Sequence, residues 1–257
     1  DDWTTTLIDE NGHKVVETRD AYGNIVKVEE FNGTQVYTTA YRYDALNRLT
    51  EIRNHQGNLT SMVYDSLGRR LQLKDADRGT TSYEYDAVGN LLKQTDDRGK
   101  TIEFGYDAVN RLLWKRSGGV TLAGYQYDDG KKPYSVGRLA KRTDSSGSKE
   151  FFYDLLGRVT KTVQTIDGKP FAVERTYDAA DRLEALTSPD GTRVAYLYNA
   201  AGAVEAIRQG EAAIVDRIDY APTGQINLLW YGNGDRRNYV YDPKTLAFLI
   251  ERFGLTQ

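Results

Sequence analysis

The feature that most narrows what this chain can fold into is a Tyr-Asp pair that returns about every 21 residues. It stands at Tyr43-Asp44, Tyr64-Asp65, Tyr85-Asp86, Tyr106-Asp107, Tyr127-Asp128, Tyr153-Asp154 and Tyr177-Asp178, with the variants Tyr198-Asn199, Tyr220-Ala221 and Tyr241-Asp242. Successive tyrosines are 21, 21, 21, 21, 26, 24, 21, 22 and 21 residues apart. A fixed period of this kind means that one small structural unit is stacked many times, so the repeat sets the fold before local propensity does. With a weaker copy at Arg19-Asp20-Ala21-Tyr22-Gly23-Asn24-Ile25, residues 1–257 read as a single array of about ten repeats, a fragment of a longer protein.

Each pair opens a turn. The third residue after the motif aspartate is Asn47, Gly68, Gly89, Asn110, Gly157 or Asp181, and Gly202 follows Asn199 at the same offset. These residue types tolerate a left-handed backbone, as the last residue of a short hairpin connection requires, and the aspartate can accept hydrogen bonds from turn amides. The following position is Arg48, Arg69, Arg111, Arg158 or Arg182, close enough to pair with its turn aspartate. Midway through each repeat lies a second punctuation, at Asn32-Gly33, Gln56-Gly57, Arg78-Gly79, Arg98-Gly99, Ser146-Gly147, Asp167-Gly168, Asp190-Gly191, Gln209-Gly210 and Asn233-Gly234. X-Gly pairs suit tight primed turns. Between the two kinds of turn run about seven residues rich in aromatic and β-branched types, which favour strands. The unit is therefore strand, turn, strand, turn.

Alternation assigns the faces. Tyr83 and Tyr85, or Tyr196 and Tyr198, are two apart and project from one side of their strand. Fifteen of the 19 tyrosines occupy the motif position or the one two before it, which predicts aromatic rows across the sheet in place of a central core. The longer intervals, around Asp129–Ser135 and Ile166–Pro170, are expected to be surface loops, and Lys131, Lys132 and Tyr134 make the first a candidate for binding. Proline is scarce, and Pro170 is expected at an irregular point.

The pattern Tyr-Asp-x-x-Gly-Arg-Leu at this period resembles the YD repeat of bacterial Rhs proteins, of the B and C subunits of insecticidal toxin complexes, and of animal teneurins. The resemblance covers roughly residues 19–257. It implies an all-β fold of tandem antiparallel hairpins forming a curved, open sheet, or a spiral wall segment of an Rhs-type shell. It also implies a bacterial secreted or cell-surface setting, a scaffold role, and, in the full-length protein, a shell around a C-terminal toxin or other passenger. Neighbouring repeats of the same parent chain and an encapsulated toxin polypeptide are the partners it implies. Asp242-Pro243 stands without the paired Asp-Pro motif of self-cleaving members, so no protease residues are assigned. Ten two-strand repeats make a ribbon about 96 Å wide, short of the roughly 138 Å path around a 100-residue passenger, so this length of chain is expected to be an open arc.

Composition removes other classes. A net charge of −3 with acids and bases interspersed lacks the basic face that neutralises phosphates, so nucleic acid is not an expected partner. No apolar run approaches the roughly 18 residues of a membrane helix, and insertion into a membrane by this segment is not expected. Asp1-Asp2-Trp3 does not begin a signal peptide. There is no cysteine, and His13 and His55 form no metal-ligand pattern, so no cofactor, metal or catalytic residue is assigned. The repeated aspartates share one turn position, whereas catalysis needs unlike groups converging on one substrate, so the chain is not read as an enzyme. The alternative function is a carbohydrate-binding adhesin or cell-surface interaction module, with a glycan stacked on the tyrosines.

Overall fold

The computed structural model describes residues 3–254, so Asp1-Asp2 and the last residues of the expected array lie outside the described residues. The described residues form 23 strands and no helix, so none is long and apolar enough to cross a membrane. The chain divides into two compact units, Asp1–Gly124 and Tyr125–Gln257.

The first unit is an antiparallel meander of β1 (Thr4–Ile8), β2 (Lys14–Arg19), β3 (Ile25–Asn32), β4 (Gln35–Tyr43), β5 (Leu49–Arg53), β6 (Leu59–Tyr64), β7 (Arg70–Asp75), β8 (Gly79–Tyr85), β9 (Leu91–Thr95), β10 (Thr101–Tyr106), β11 (Leu112–Ser117) and β12 (Val120–Tyr127). Each strand pairs with the next one in sequence, and β1 pairs with β2 on one side only, so this sheet is open. The second unit continues with β13 (Leu139–Asp144), β14 (Gly147–Tyr153), β15 (Val159–Ile166), β16 (Lys169–Tyr177), β17 (Leu183–Thr187), β18 (Arg193–Tyr198), β19 (Val204–Gln209), β20 (Ala212–Tyr220), β21 (Ile226–Tyr231), β22 (Arg236–Tyr241) and β23 (Phe248–Gly254). A meander alternates its turns between two long sides, so in the first unit every Tyr-Asp turn falls on one side and every mid-repeat turn on the other.

The buried apolar residues are few and mostly small: Met62 and Ala123 in the first unit, and Ala140, Ala185, Ala206, Val215 and Ile218 in the second. The cause is the architecture. Within each unit, the element contacts among the described residues are those between strands adjacent in sequence, and strands such as β14 are half-buried along their whole length.

Three sequence expectations need correction. The mid-repeat turns are not uniformly primed. Asp167-Gly168 has positive φ at both residues (48° and 75°), as that geometry demands. Asn54–Asn58, Asp96–Lys100, Ser188–Thr192 and Tyr231–Asp235 instead repeat the hydrogen bonding of the Tyr-Asp turns, with glycine as the left-handed residue. At Asn54 and Asp96 the leading side chain accepts turn amides, which favours the longer connection.

The second concerns the 24-residue interval, whose extra length is strand and not loop. The two-residue Asp167-Gly168 turn keeps Ile166 opposite Lys169 and Thr165 opposite Pro170, so β15 and β16 are lengthened and Pro170 lies within a strand. The third concerns the aromatic rows. Successive motif tyrosines are separated by an intervening strand, about 10 Å in all, which exceeds ring-stacking distance. A guanidinium lies over the ring instead, as for Arg48 over Tyr64 at 5.1 Å and Arg182 over Tyr198 at 4.4 Å.

Candidate functional site

The best-built polar structure in the chain is the Tyr-Asp turn, and Asp65 shows its logic. One carboxylate oxygen accepts the amides of Leu67 and Arg69, each at 2.9 Å, and the other accepts Nε of Arg69 at 2.6 Å. The backbone closes the same loop: the Asp65 amide donates to the Arg69 carbonyl, and the Gly68 amide donates to the Asp65 carbonyl. This leaves Gly68 at φ 82°, where a side chain is strained. Asn47, Gly89, Asn110, Gly157 and Asp181 take the same left-handed conformation.

Arg48, Arg69 and Arg158 also reach forward to the next turn. Arg48 Nη1 donates to the Asp65 carbonyl and Arg69 Nη1 to the Asp86 carbonyl, at 2.8 and 2.7 Å. Arg158 pairs with Asp154 at 2.6 Å and with Asp181 of the next turn at 3.0 Å. Arg111 pairs with Asp107 and Arg182 with Asp178, both at 2.7 Å. Where the arginine is replaced by asparagine, the forward link survives in another form. Asn24 and Asn90 each bond their own turn aspartate and the side-chain oxygen of the next left-handed asparagine, Asn47 at 3.2 Å and Asn110 at 2.8 Å. Glycine follows arginine at Gly68 and Gly157, where an added Cβ would approach the Arg48 or Arg138 side chain.

The tyrosines reach backward. The hydroxyls of Tyr43, Tyr64, Tyr85, Tyr106, Tyr153, Tyr177, Tyr198 and Tyr220 donate to the carbonyls of Ile25, Leu49, Arg70, Leu91, Leu139, Val159, Leu183 and Val204, at 2.7–3.0 Å. The acceptor is the first residue of the strand leaving the preceding Tyr-Asp turn. In most repeats it pairs with the preceding tyrosine at a β-bulge, as Leu49 does with Tyr43 and Arg70 with Tyr64. A bulge interrupts the ladder and leaves backbone groups needing a partner, and the phenol supplies one. No sequence signal marked this bond, because the repeat shows where tyrosines recur and not what their hydroxyls meet.

The electrostatics follow from these bonds. The Arg48, Arg111 and Arg182 amides hold Asp44, Asp107 and Asp178 below the ordinary carboxylate value, against a smaller opposing effect of desolvation. At Asp65, Asp86 and Asp154 desolvation is the largest influence and pushes upward, but hydrogen bonds from Arg69, Asn90 and Arg158 together outweigh it. Burial pushes the Tyr43, Tyr85, Tyr106, Tyr153 and Tyr220 hydroxyls up. An ionised carboxylate with both oxygens occupied is suited to fixing a turn.

At the remaining sequence-predicted positions the motif is modified. Tyr127 ends β12, and Asp128 has φ 56°. The long insertion follows Asp128, and Gly137 and Arg138 close it, with the Gly137 amide on the Asp128 carboxylate and the Asp128 amide on the Arg138 carbonyl. Within the insertion Lys132 is turned inward onto Glu150 at 2.8 Å and over the Phe152 ring at 4.6 Å, so it does not join Lys131 and Tyr134 as an exposed binding group. Tyr241 ends β22 with its ring 5.9 Å from that of Phe248. A cleft of about 650 Å³ on the mid-repeat side is lined by Asp75, Asp77, Arg78, Tyr83, Asp96 and Arg98. Its carboxylates Asp75 and Asp96 cap their own turns.

An all-β array of interlocked hairpins with this motif defines a repeat-built wall. The teneurin YD-shell family model matches residues 1–146 and the RHS repeat model matches residues 177–213. The chain belongs to the teneurin YD-shell family. No curated protein sequence matches it. Among solved structures it is similar to the TcdB2–TccC3 complex, with TM-score 0.85 and 19% identity over 98% of this chain and 15% of that one. It is also similar to the Photorhabdus luminescens Tc holotoxin pore, with TM-score 0.80 and 19% identity over 94% of this chain and 14% of that one. At such identity the likeness is one of fold, and the chain spans about 15% of the length of these relatives.

Proposed function

We propose that this chain is a structural wall segment of an Rhs-type shell, read as a single repeat array, which in the full-length protein helps to encapsulate a toxin or other C-terminal passenger. The observation that carries this reading is the two-way link between repeats: tyrosine hydroxyls reach back to the preceding repeat, and arginine or asparagine side chains reach forward to the next turn. In this reading Tyr64, Asp65, Gly68, Arg69 and their equivalents are structural, and their polar atoms serve the wall and not a substrate. Family membership and the fold shared with the toxin-complex structures support it. A secreted or cell-surface bacterial setting is part of the same proposal.

Protease challenge of the full-length parent protein tests the role. A C-terminal passenger that resists cleavage while the shell is folded, and is cleaved once the shell is opened by denaturant, is the expected result. Equal cleavage in both states contradicts encapsulation, and selective glycan binding by the folded chain would instead support the adhesin reading.

A further inference from the structure

The two long sides of the first unit differ in a way that its internal packing does not require. On the Tyr-Asp side, the residue two after each turn aspartate is Tyr22, Leu46, Leu67, Val88 or Val109 in five successive turns, and all are 66–80% exposed. Each is preceded by alanine or serine. At the equivalent position on the mid-repeat side stand Asn11, Gln56, Asp77 and Arg98. These tips lie outside the ladder, and a turn of this type accepts polar residues there. Five large apolar tips on one side therefore ask for a partner outside the unit.

We propose that this side is a docking edge for the same edge of a second copy of the chain. Three observations select that occupant. The tips recur once per two strands, about 10 Å apart, and an identical edge has the same spacing, so apolar tips stay in register along the contact. Self-complementary contacts of this kind close into a twofold dimer. Of the five turn carboxylates beside the tips, Asp44, Asp65 and Asp107 are neutralised by Arg48, Arg69 and Arg111, whereas Asp20 and Asp86 are held by the neutral Asn24 and Asn90, so three of the five turns meet a second copy without like-charge repulsion. Five tips expose about 500 Å² per copy, beyond a scatter of single surface residues. Two copies bury about 1,000 Å², enough for a weak specific dimer. This inference goes beyond the shell reading, because it rests on turn tips and not on any passenger.

Sedimentation velocity over about 5 to 500 µM, spanning the affinities of a weak dimer, tests it on the intact chain. The wild-type chain is expected to pass from monomer to dimer. The Leu67→Asn/Val88→Asn variant is expected to weaken dimerisation at least tenfold with an unchanged thermal midpoint, which shows that it folds. Gln56→Lys, on the opposite side, is expected to leave the dimer intact. A wild-type chain that stays monomeric throughout, or a dimer indifferent to Leu67→Asn/Val88→Asn, overturns the proposal. So does a dimer abolished by Leu7→Lys on the open edge of β1 while the tip variant retains it, since association would then run through strand pairing.

Discussion

The hydroxyl of Tyr85 donates to the carbonyl of Arg70, 15 residues earlier, at 3.0 Å. The acceptor is the residue opposite Tyr64 at the bulge in the β6–β7 pair, so one phenol ties two consecutive copies of the motif. Tyr85→Phe removes that bond and is expected to cost about 1 kcal/mol. Tyr85→Ala also removes the half-buried ring and its contact with Arg69, and is expected to cost about 3 kcal/mol. Denaturant titration of both variants measures the difference; equal values for Phe and Ala would show that the ring contributes nothing.

Gly89 has φ 100° and no heavy atom within 4 Å of an added Cβ, so substitution there isolates the backbone penalty. Gly89→Val is expected to cost about 1–2 kcal/mol. Val88→Ala, at a tip 72% exposed, is expected to stay within about 0.5 kcal/mol of wild type. Two variants of equal stability would contradict the turn assignment.

The arginine and asparagine forms of the forward link make a prediction about pairs. Arg69→Asn combined with Gly89→Asn rebuilds the link seen between Asn90 and Asn110, because asparagine tolerates the left-handed position. The double variant is expected to be more stable than the sum of the single changes by about 0.5 kcal/mol or more. Strict additivity would mean that the two positions do not communicate.

The pH response follows from the displaced titrations. Asp44, Asp107 and Asp178 titrate below the ordinary value of 3.8 in the folded chain, so the stability they contribute is present above that value and lost as pH falls through the lower folded one. The Tyr43, Tyr85, Tyr106, Tyr153 and Tyr220 hydroxyls titrate above 10.0, so their contribution is present below pH 10 and lost as pH rises through the higher folded value. Stability is therefore expected to be flat from about pH 5 to 9 as far as these groups decide it, with losses on both flanks. Phenolate absorbance during alkaline unfolding would follow the upper flank; tyrosines titrating with the unperturbed amino acid contradict their burial.

Much of this was legible in the sequence because the motif is local. Asp65, Gly68 and Arg69 lie within five residues, and their types dictate both the turn and its pairing. The Tyr64 hydroxyl bond to Leu49 was not legible, because it depends on a bulge that repeat spacing does not encode. The 24-residue interval misled for a related reason: added residues read as a loop unless the Asp167-Gly168 turn is recognised as tight enough to let both strands grow. Lys132 misled because its exposure was inferred from a polar loop, whereas Glu150 on β14 draws it in.

If the chain is a wall of interchangeable repeats, removing one whole repeat should leave the others as they were. Deleting residues 65–85 joins Tyr64 to Asp86 and restores an intact motif; Tyr64 still reaches Leu49, Tyr106 still reaches Leu91, and Asn90 still meets Asn110. The shortened chain is expected to unfold cooperatively, with wild-type β-sheet circular dichroism per residue and a modest loss of stability. Deleting residues 65–75, a turn and a single strand, reverses the direction of every later hairpin relative to the earlier ones and is expected to abolish cooperative unfolding. A 65–85 deletion that fails to fold, or two deletions that behave alike, would contradict the account.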